Sequence, residues 1–125
     1  QPIENLFLCS RFIEQFVLIG DRRMFCTALV VPDFEALKSY AMENRITFNG
    51  EDELVKHPAI NELMEKDIDQ IQKDLANFER VRRFILLEKP FTIEAGDLTP
   101  TQKVKRKGVE EKYAEKLDGM YQGIN

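Results

Sequence analysis

Two short apolar runs divided by a charged turn constrain this chain more than any other feature. Residues 14–19 are dense in Phe16, Val17, Leu18 and Ile19, and residues 25–31 form the second run. Between them, Gly20-Asp21-Arg22-Arg23 reads as the turn that folds one run back on the other as a hairpin. Arg22 and Arg23 could receive a phosphate there, or serve only to keep the turn soluble.

Helical signals surround this hairpin. Residues 2–9 read as a short helix with Ile3, Leu6 and Phe7 on one face. Pro32-Asp33 ends the second strand, and Asp33 is placed to cap a helix over 34–44 whose buried stripe is Phe34, Leu37, Tyr40 and Ala41. Asn49-Gly50 breaks the chain before a short helix at 51–56. His57-Pro58 punctuates again, because a residue before proline avoids helical geometry. Residues 58–76 carry Ile60, Leu63, Met64, Ile68, Ile71 and Leu75 at helical spacing. A third strand is expected over 81–87, with 91–93 extending it or forming a short separate strand. A charged helix is expected over 100–120, weakened at Gly108 by about 1 kcal/mol relative to alanine. The fold class is therefore α+β: a small three-stranded sheet with an N-terminal hairpin, packed by helices.

The 125 residues suit one domain, and 43% hydrophobic with 32% charged residues fit a globular protein. A net charge of -4 argues against non-specific nucleic-acid binding by the whole surface. Cys9 and Cys26 stand among apolar residues, which suggests a reducing, cytoplasmic setting. One histidine and no close cysteine pair make a structural zinc site unexpected. No apolar run is long enough to span a bilayer. The opening Gln1-Pro2-Ile3-Glu4 reads as the interior of a longer sequence. No Walker motif, nucleophile elbow or dinucleotide glycine pattern occurs. His57 reads as a local cap, the carboxylates Glu62, Glu65, Asp67, Asp69 and Asp74 as a solvated helix face, and Glu79, Arg80, Arg82 and Arg83 as surface ion pairs.

Residues 98–107, Leu-Thr-Pro-Thr-Gln-Lys-Val-Lys-Arg-Lys, stand out against the acidic whole. Thr99 could cap a helix with Pro100 at its first position and Gln102 closing a capping box. Lys103 would then lie in the first helical turn, where the dipole disfavours a cation unless an anion joins it. A solvated basic face is the alternative.

The segment Phe91-Thr92-Ile93-Glu94-Ala95-Gly96-Asp97-Leu98-Thr99-Pro100-Thr101-Gln102-Lys103-Val104-Lys105-Arg106-Lys107, with Glu110-Glu111-Lys112-Tyr113, resembles the C-terminal end of AMP-forming long-chain acyl-CoA synthetases. Phe12-Ile13-Glu14-Gln15, Ile19-Gly20-Asp21-Arg22-Arg23 and Val30-Val31-Pro32-Asp33-Phe34 are similar to that family's hairpin region, and Gln1-Pro2-Ile3-Glu4-Asn5 to the residues just after its hinge. The resemblance implies that residues 1–125 are a single C-terminal domain of a longer synthetase whose N-terminal domain, absent here, binds ATP, Mg2+ and the fatty acid. The domain would close for acyl-adenylate formation, then reorient for thioester formation with CoA. Lys103 matches the adenylation lysine, with Thr101, Lys105 and Arg106 as supporting or phosphate-contacting neighbours. Thr101-Gln102 stands where the wider superfamily often has Ser-Gly, a departure in keeping with the long-chain branch. The implied partners are the domain's own N-terminal domain, fatty acid and CoA, without nucleic acid. No ligand is expected on the fragment itself, and the location is cytoplasmic, with peripheral membrane association as an option. The rival is a non-catalytic module that holds anionic lipid or RNA with the 103–107 cluster.

Overall fold

Strand β1 (Ile13–Ile19) pairs antiparallel with β2 (Cys26–Pro32), Phe16 opposite Val30 and Leu18 opposite Ala28, as the hairpin reading predicts. This is a computed structural model that describes residues 2–20 and 25–121; the turn at Arg22 and Arg23 lies outside them. β3 (Val81–Leu86) lies parallel to β2 on its other side, Leu29 opposite Ile85, so the sheet order is β1-β2-β3.

A parallel return needs a long crossover. Here α2 (Phe34–Glu43), α3 (Gly50–Lys56) and α4 (Pro58–Ile71) supply it. With α1 (Pro2–Phe7), they build one core layer, in which Phe7, Phe16, Ala28, Val30, Leu37, Ile60 and Met64 meet. Phe7 stacks on Phe16 with ring centroids 4.2 Å apart. The second layer forms on the opposite face of the sheet under α5 (Arg106–Lys112) and α6 (Ala114–Tyr121), from Val17, Leu29, Val31, Phe91, Val109 and Leu117. β2 lies between both layers, which is why it reads as an almost unbroken apolar run. The α+β sandwich expected from the sequence is the fold observed.

Local chemistry starts two of the crossover helices, α2 and α4, where expected. The Asp33 carboxylate accepts from the Ala36 amide at 3.1 Å, and the His57 Nδ1 accepts from Ala59 N at 3.1 Å. The end of α4 is a correction: the helix stops at Ile71, five residues before the predicted Ala76. Gln72 turns inward instead, and its amide spans the backbone of Val81, donating to the carbonyl at 2.9 Å and accepting from the N–H at 2.7 Å. Arg80 closes the turn by donating to the carbonyls of Leu75 and Lys73. Arg83 likewise donates to the Met120 carbonyl. Of the arginines expected to form surface ion pairs, Arg80 and Arg83 thus cap carbonyls, in the turn after α4 and near the end of α6, while Arg82 lies over the Phe25 ring at 5.7 Å. Most of the α4 carboxylates are exposed, but Asp67 accepts from the Ser10 hydroxyl and ties α4 to the segment after α1.

Cys9 is exposed rather than enclosed by apolar residues. Cys26 is half-buried and its thiol donates to the Phe78 carbonyl; burial pushes that thiol above its ordinary pKa. Among the described residues no helix is long and apolar enough to cross a membrane.

Candidate functional site

Lys103 does not stand at a helix start. Pro100 and Thr101 form a turn, Leu98 pairs with Val104 in an isolated antiparallel bridge, and the helix begins only at Arg106. The predicted Thr99 cap, Gln102 capping box and helix from Pro100 are corrected accordingly. Burial decides the outcome: Leu98 packs into the second core layer with Val104 against it, and a bridge between them satisfies both. Gln102 takes a left-handed backbone (φ 66°) to close the turn. Thr99 still captures orphan donors, but as a loop clasp. Its hydroxyl accepts from Lys103 N at 3.0 Å, its carbonyl from Gln102 N at 2.7 Å, and its own N–H donates to the Lys103 carbonyl at 2.7 Å.

The segment leading into this loop is tied down by side chains rather than by a fourth strand. Residues 91–93, expected as strand, are irregular. One residue of pairing comes from Gln15, whose amide donates to the Phe91 carbonyl at 3.1 Å and accepts from Phe91 N at 2.7 Å. Thr92 then accepts from Ala95 N, and Gly96 turns the chain at φ +82°. Asp97 follows, 3% exposed. Its carboxylate accepts from Lys112 at 3.1 Å and from the Thr92 amide at 3.3 Å, while its carbonyl accepts from Lys105 N at 2.8 Å. Nearby, burial raises the Tyr113 hydroxyl pKa; Lys112 opposes the rise, and Asp97 and Glu88 add to it. Beyond the loop, α5 and α6 nearly form one helix: Tyr113 N bonds the Val109 carbonyl and Leu117 N the Tyr113 carbonyl across the kink.

The four sequence-predicted site residues separate into two kinds. Thr101, Lys103 and Lys105 are exposed on or beside the loop, and the Lys103 and Lys105 ammonium groups make no hydrogen bond or ion pair among the described residues. Thr101 shares a 3.1 Å hydroxyl contact with Thr99. Arg106 is committed inside the domain: it donates to Glu4 and to the Leu18 carbonyl, each at 2.7 Å. The sequence reading missed Glu4, Gln15, Asp97 and Lys112 as supports. No local signal marks Glu4 or Gln15, since their partners lie 102 and 76 positions away. The arrangement is a firmly based loop that carries two unneutralised ammonium groups, those of Lys103 and Lys105, at its surface.

The family described as AMP-binding enzyme C-terminal domain matches residues 1–125. The chain is 34% identical to mouse long-chain-fatty-acid–CoA ligase 5 over 127 residues, which covers 99% of this chain and 18% of that protein. Among solved structures, the adenylation domain of a carboxylate reductase from Mycobacterium chelonae matches with TM-score 0.73 and 30% identity, over 95% of this chain and 17% of that one. A carboxylic acid reductase didomain from Segniliparus rugosus, solved in complex with AMP, matches with TM-score 0.72 and 28% identity, over 96% of this chain and 15% of that one. The chain thus spans about a fifth of the curated relatives it matches.

Proposed function

The chain belongs to the family of AMP-binding enzyme C-terminal domains, and on that premise we propose that it is the mobile C-terminal domain of an AMP-forming long-chain fatty-acid–CoA ligase. In this reading it closes over its own N-terminal domain for adenylation and reorients for thioester formation. Fatty acid, ATP and CoA are the substrates, in the cytoplasm or at a membrane surface. The described residues hold no cluster of three or more His, Cys, Asp or Glu fit to ligate a metal. No step assigned to this domain's described residues runs through Mg2+.

Lys103 is the residue that acts. Attack of a fatty-acid carboxylate on the ATP α-phosphate brings two anions together, and a cation touching both relieves their repulsion most in the transition state. An ammonium on a flexible stem, held on a fixed loop, can reach both sets of oxygens. The carrying observation is that the Lys103 side chain is exposed, its ammonium without a partner among the described residues, while the loop beneath it is bonded at its base. Thr101 and Lys105, exposed beside it, would contact phosphate oxygens.

In the intact enzyme, Lys103→Ala is expected to slow acyl-adenylate formation about 100-fold or more. Thioester formation from supplied acyl-adenylate should be largely spared. Equal loss in the two half-reactions would overturn the assignment. The rival anion-binding module draws on the 103–107 cluster, but Arg106 is already bonded to Glu4 and Leu18.

A further inference from the structure

We infer that Arg106 is a positioning residue for Lys103: through Glu4 and Leu18 it fastens the lysine's loop to α1 and the edge of the sheet. This deepens the proposed role of Lys103 and rests on it. Three remote segments meet at one point. The Arg106 Nη2 donates to Glu4 Oε2 at 2.7 Å, the Nη1 donates to the Leu18 carbonyl at 2.7 Å, and the same Glu4 oxygen accepts from Leu18 N at 2.7 Å. Leu18 lies on an edge strand, so the pair satisfies both of its backbone groups where no neighbouring strand can.

The placement of Arg106 runs against local helix preference. It is the first residue of α5, where the dipole disfavours cations, and the first turn of that helix has no acid to compensate. Glu4, only 14% exposed at its side chain, supplies the anion from the other end of the chain. A guanidinium can address two acceptors with two nitrogens; an ammonium in its place cannot keep that fork. On its other side the loop is held by Asp97, which bonds Lys112 and the Lys105 amide, but those ties stay within 15 positions of sequence. Among the described residues, only the Arg106 clamp joins the loop to α1, the first helix of the domain and, in the proposed reading, the one next to the N-terminal domain. When the domain moves on whatever precedes α1, this clamp makes Lys103 move with it as one body.

Catalytic groups tolerate little misplacement, and a shift of about 1 Å can cost about 100-fold in rate. The test measures both half-reactions of the intact enzyme for Glu4→Gln, Arg106→Lys and the double variant, each also on a Lys103→Ala background. Each single change is expected to lower kcat for adenylation by about tenfold with KM nearly unchanged, the double no more than the worse single. Thioester formation from supplied acyl-adenylate should persist, and neither change should slow adenylation further once Lys103 is alanine. Hydrogen exchange of the amides at 99–105 should quicken while that of β2 stays slow, which separates a loosened loop from a domain that fails to fold. Losses that multiply in the double variant, equal loss in both half-reactions, unchanged adenylation, or exchange that quickens across β2 would overturn the inference. A further loss on the Lys103→Ala background would overturn it while leaving the role of Lys103 intact. If Lys103→Ala itself leaves adenylation unchanged, the functional reading fails first.

Discussion

Gln72 shows how much of this fold hangs on single side chains. It is 4% exposed, and its amide gives Val81 both a donor and an acceptor, as a paired strand would. Replacing it with alanine leaves a buried N–H and a buried carbonyl unmet, each costing about 1–3 kcal/mol. Gln72→Ala is therefore expected to lower the stability of the domain by about 3 kcal/mol, read from the midpoint of urea unfolding at constant slope. Gln72→Glu keeps the acceptor for Val81 N but loses the donor to its carbonyl, and should also destabilise. A loss under about 1 kcal/mol in the alanine variant would show that water or a shifted neighbour takes over both bonds. Gln15 repeats the device at Phe91, which is how an irregular segment lies against β1 without a ladder of its own. Neither role is visible in the sequence, where both residues look like ordinary polar surface.

At the scale of elements, two glycines bound the behaviour of the C-terminal segment. Gly96 and Gly108 both have open space where a Cβ would go, yet only Gly96 has a left-handed backbone, at φ +82°. Gly96→Ala should cost about 1 kcal/mol through strain alone, whereas Gly108→Ala, inside α5, should stabilise by up to about 1 kcal/mol. Thermal unfolding of the two variants checks the sign: melting temperatures that move the same way would refute this account. The same segment shows where sequence reading succeeded and failed. Asp33 and His57 were legible as caps because the amides they serve lie two or three residues away. Thr99-Pro100-Thr101-Gln102 carried an equally local helix-start pattern, but Leu98 and Val104 had a core to enter, and their burial outweighed it. Lys103 was reached by resemblance to a motif, a reading that does not depend on the helix predicted around it, and that helix begins only at Arg106. The Glu4–Arg106 clamp was out of reach, since nothing local in a chain announces a contact across 102 positions.

At the scale of the whole molecule, both core layers share one wall. Leu29 and Val30 are neighbours in β2, both fully buried, but Leu29 faces the layer under α5 and α6 while Val30 faces the layer under α1 to α4. Neither layer can lose its packing without exposing an inner face of the same strand, so the two should unfold together although helices on opposite sides cover them. Leu29→Ala is expected to cost about 2–5 kcal/mol, and Val30→Ala somewhat less because fewer atoms are removed. The decisive measurement is where the cost appears. Under exchange conditions that report global opening, Leu29→Ala should speed the slowest amides of α4 as much as those of α6, although its side chain touches only the second layer. Val30→Ala should do the same in reverse. Cooperative opening of this kind also bears on the lysine loop, whose bridge residues Leu98 and Val104 pack in that second layer. Exchange that quickens in α6 while α4 keeps its original protection would show instead that the layers open independently, and that the domain presents Lys103 from a separately unfolding half.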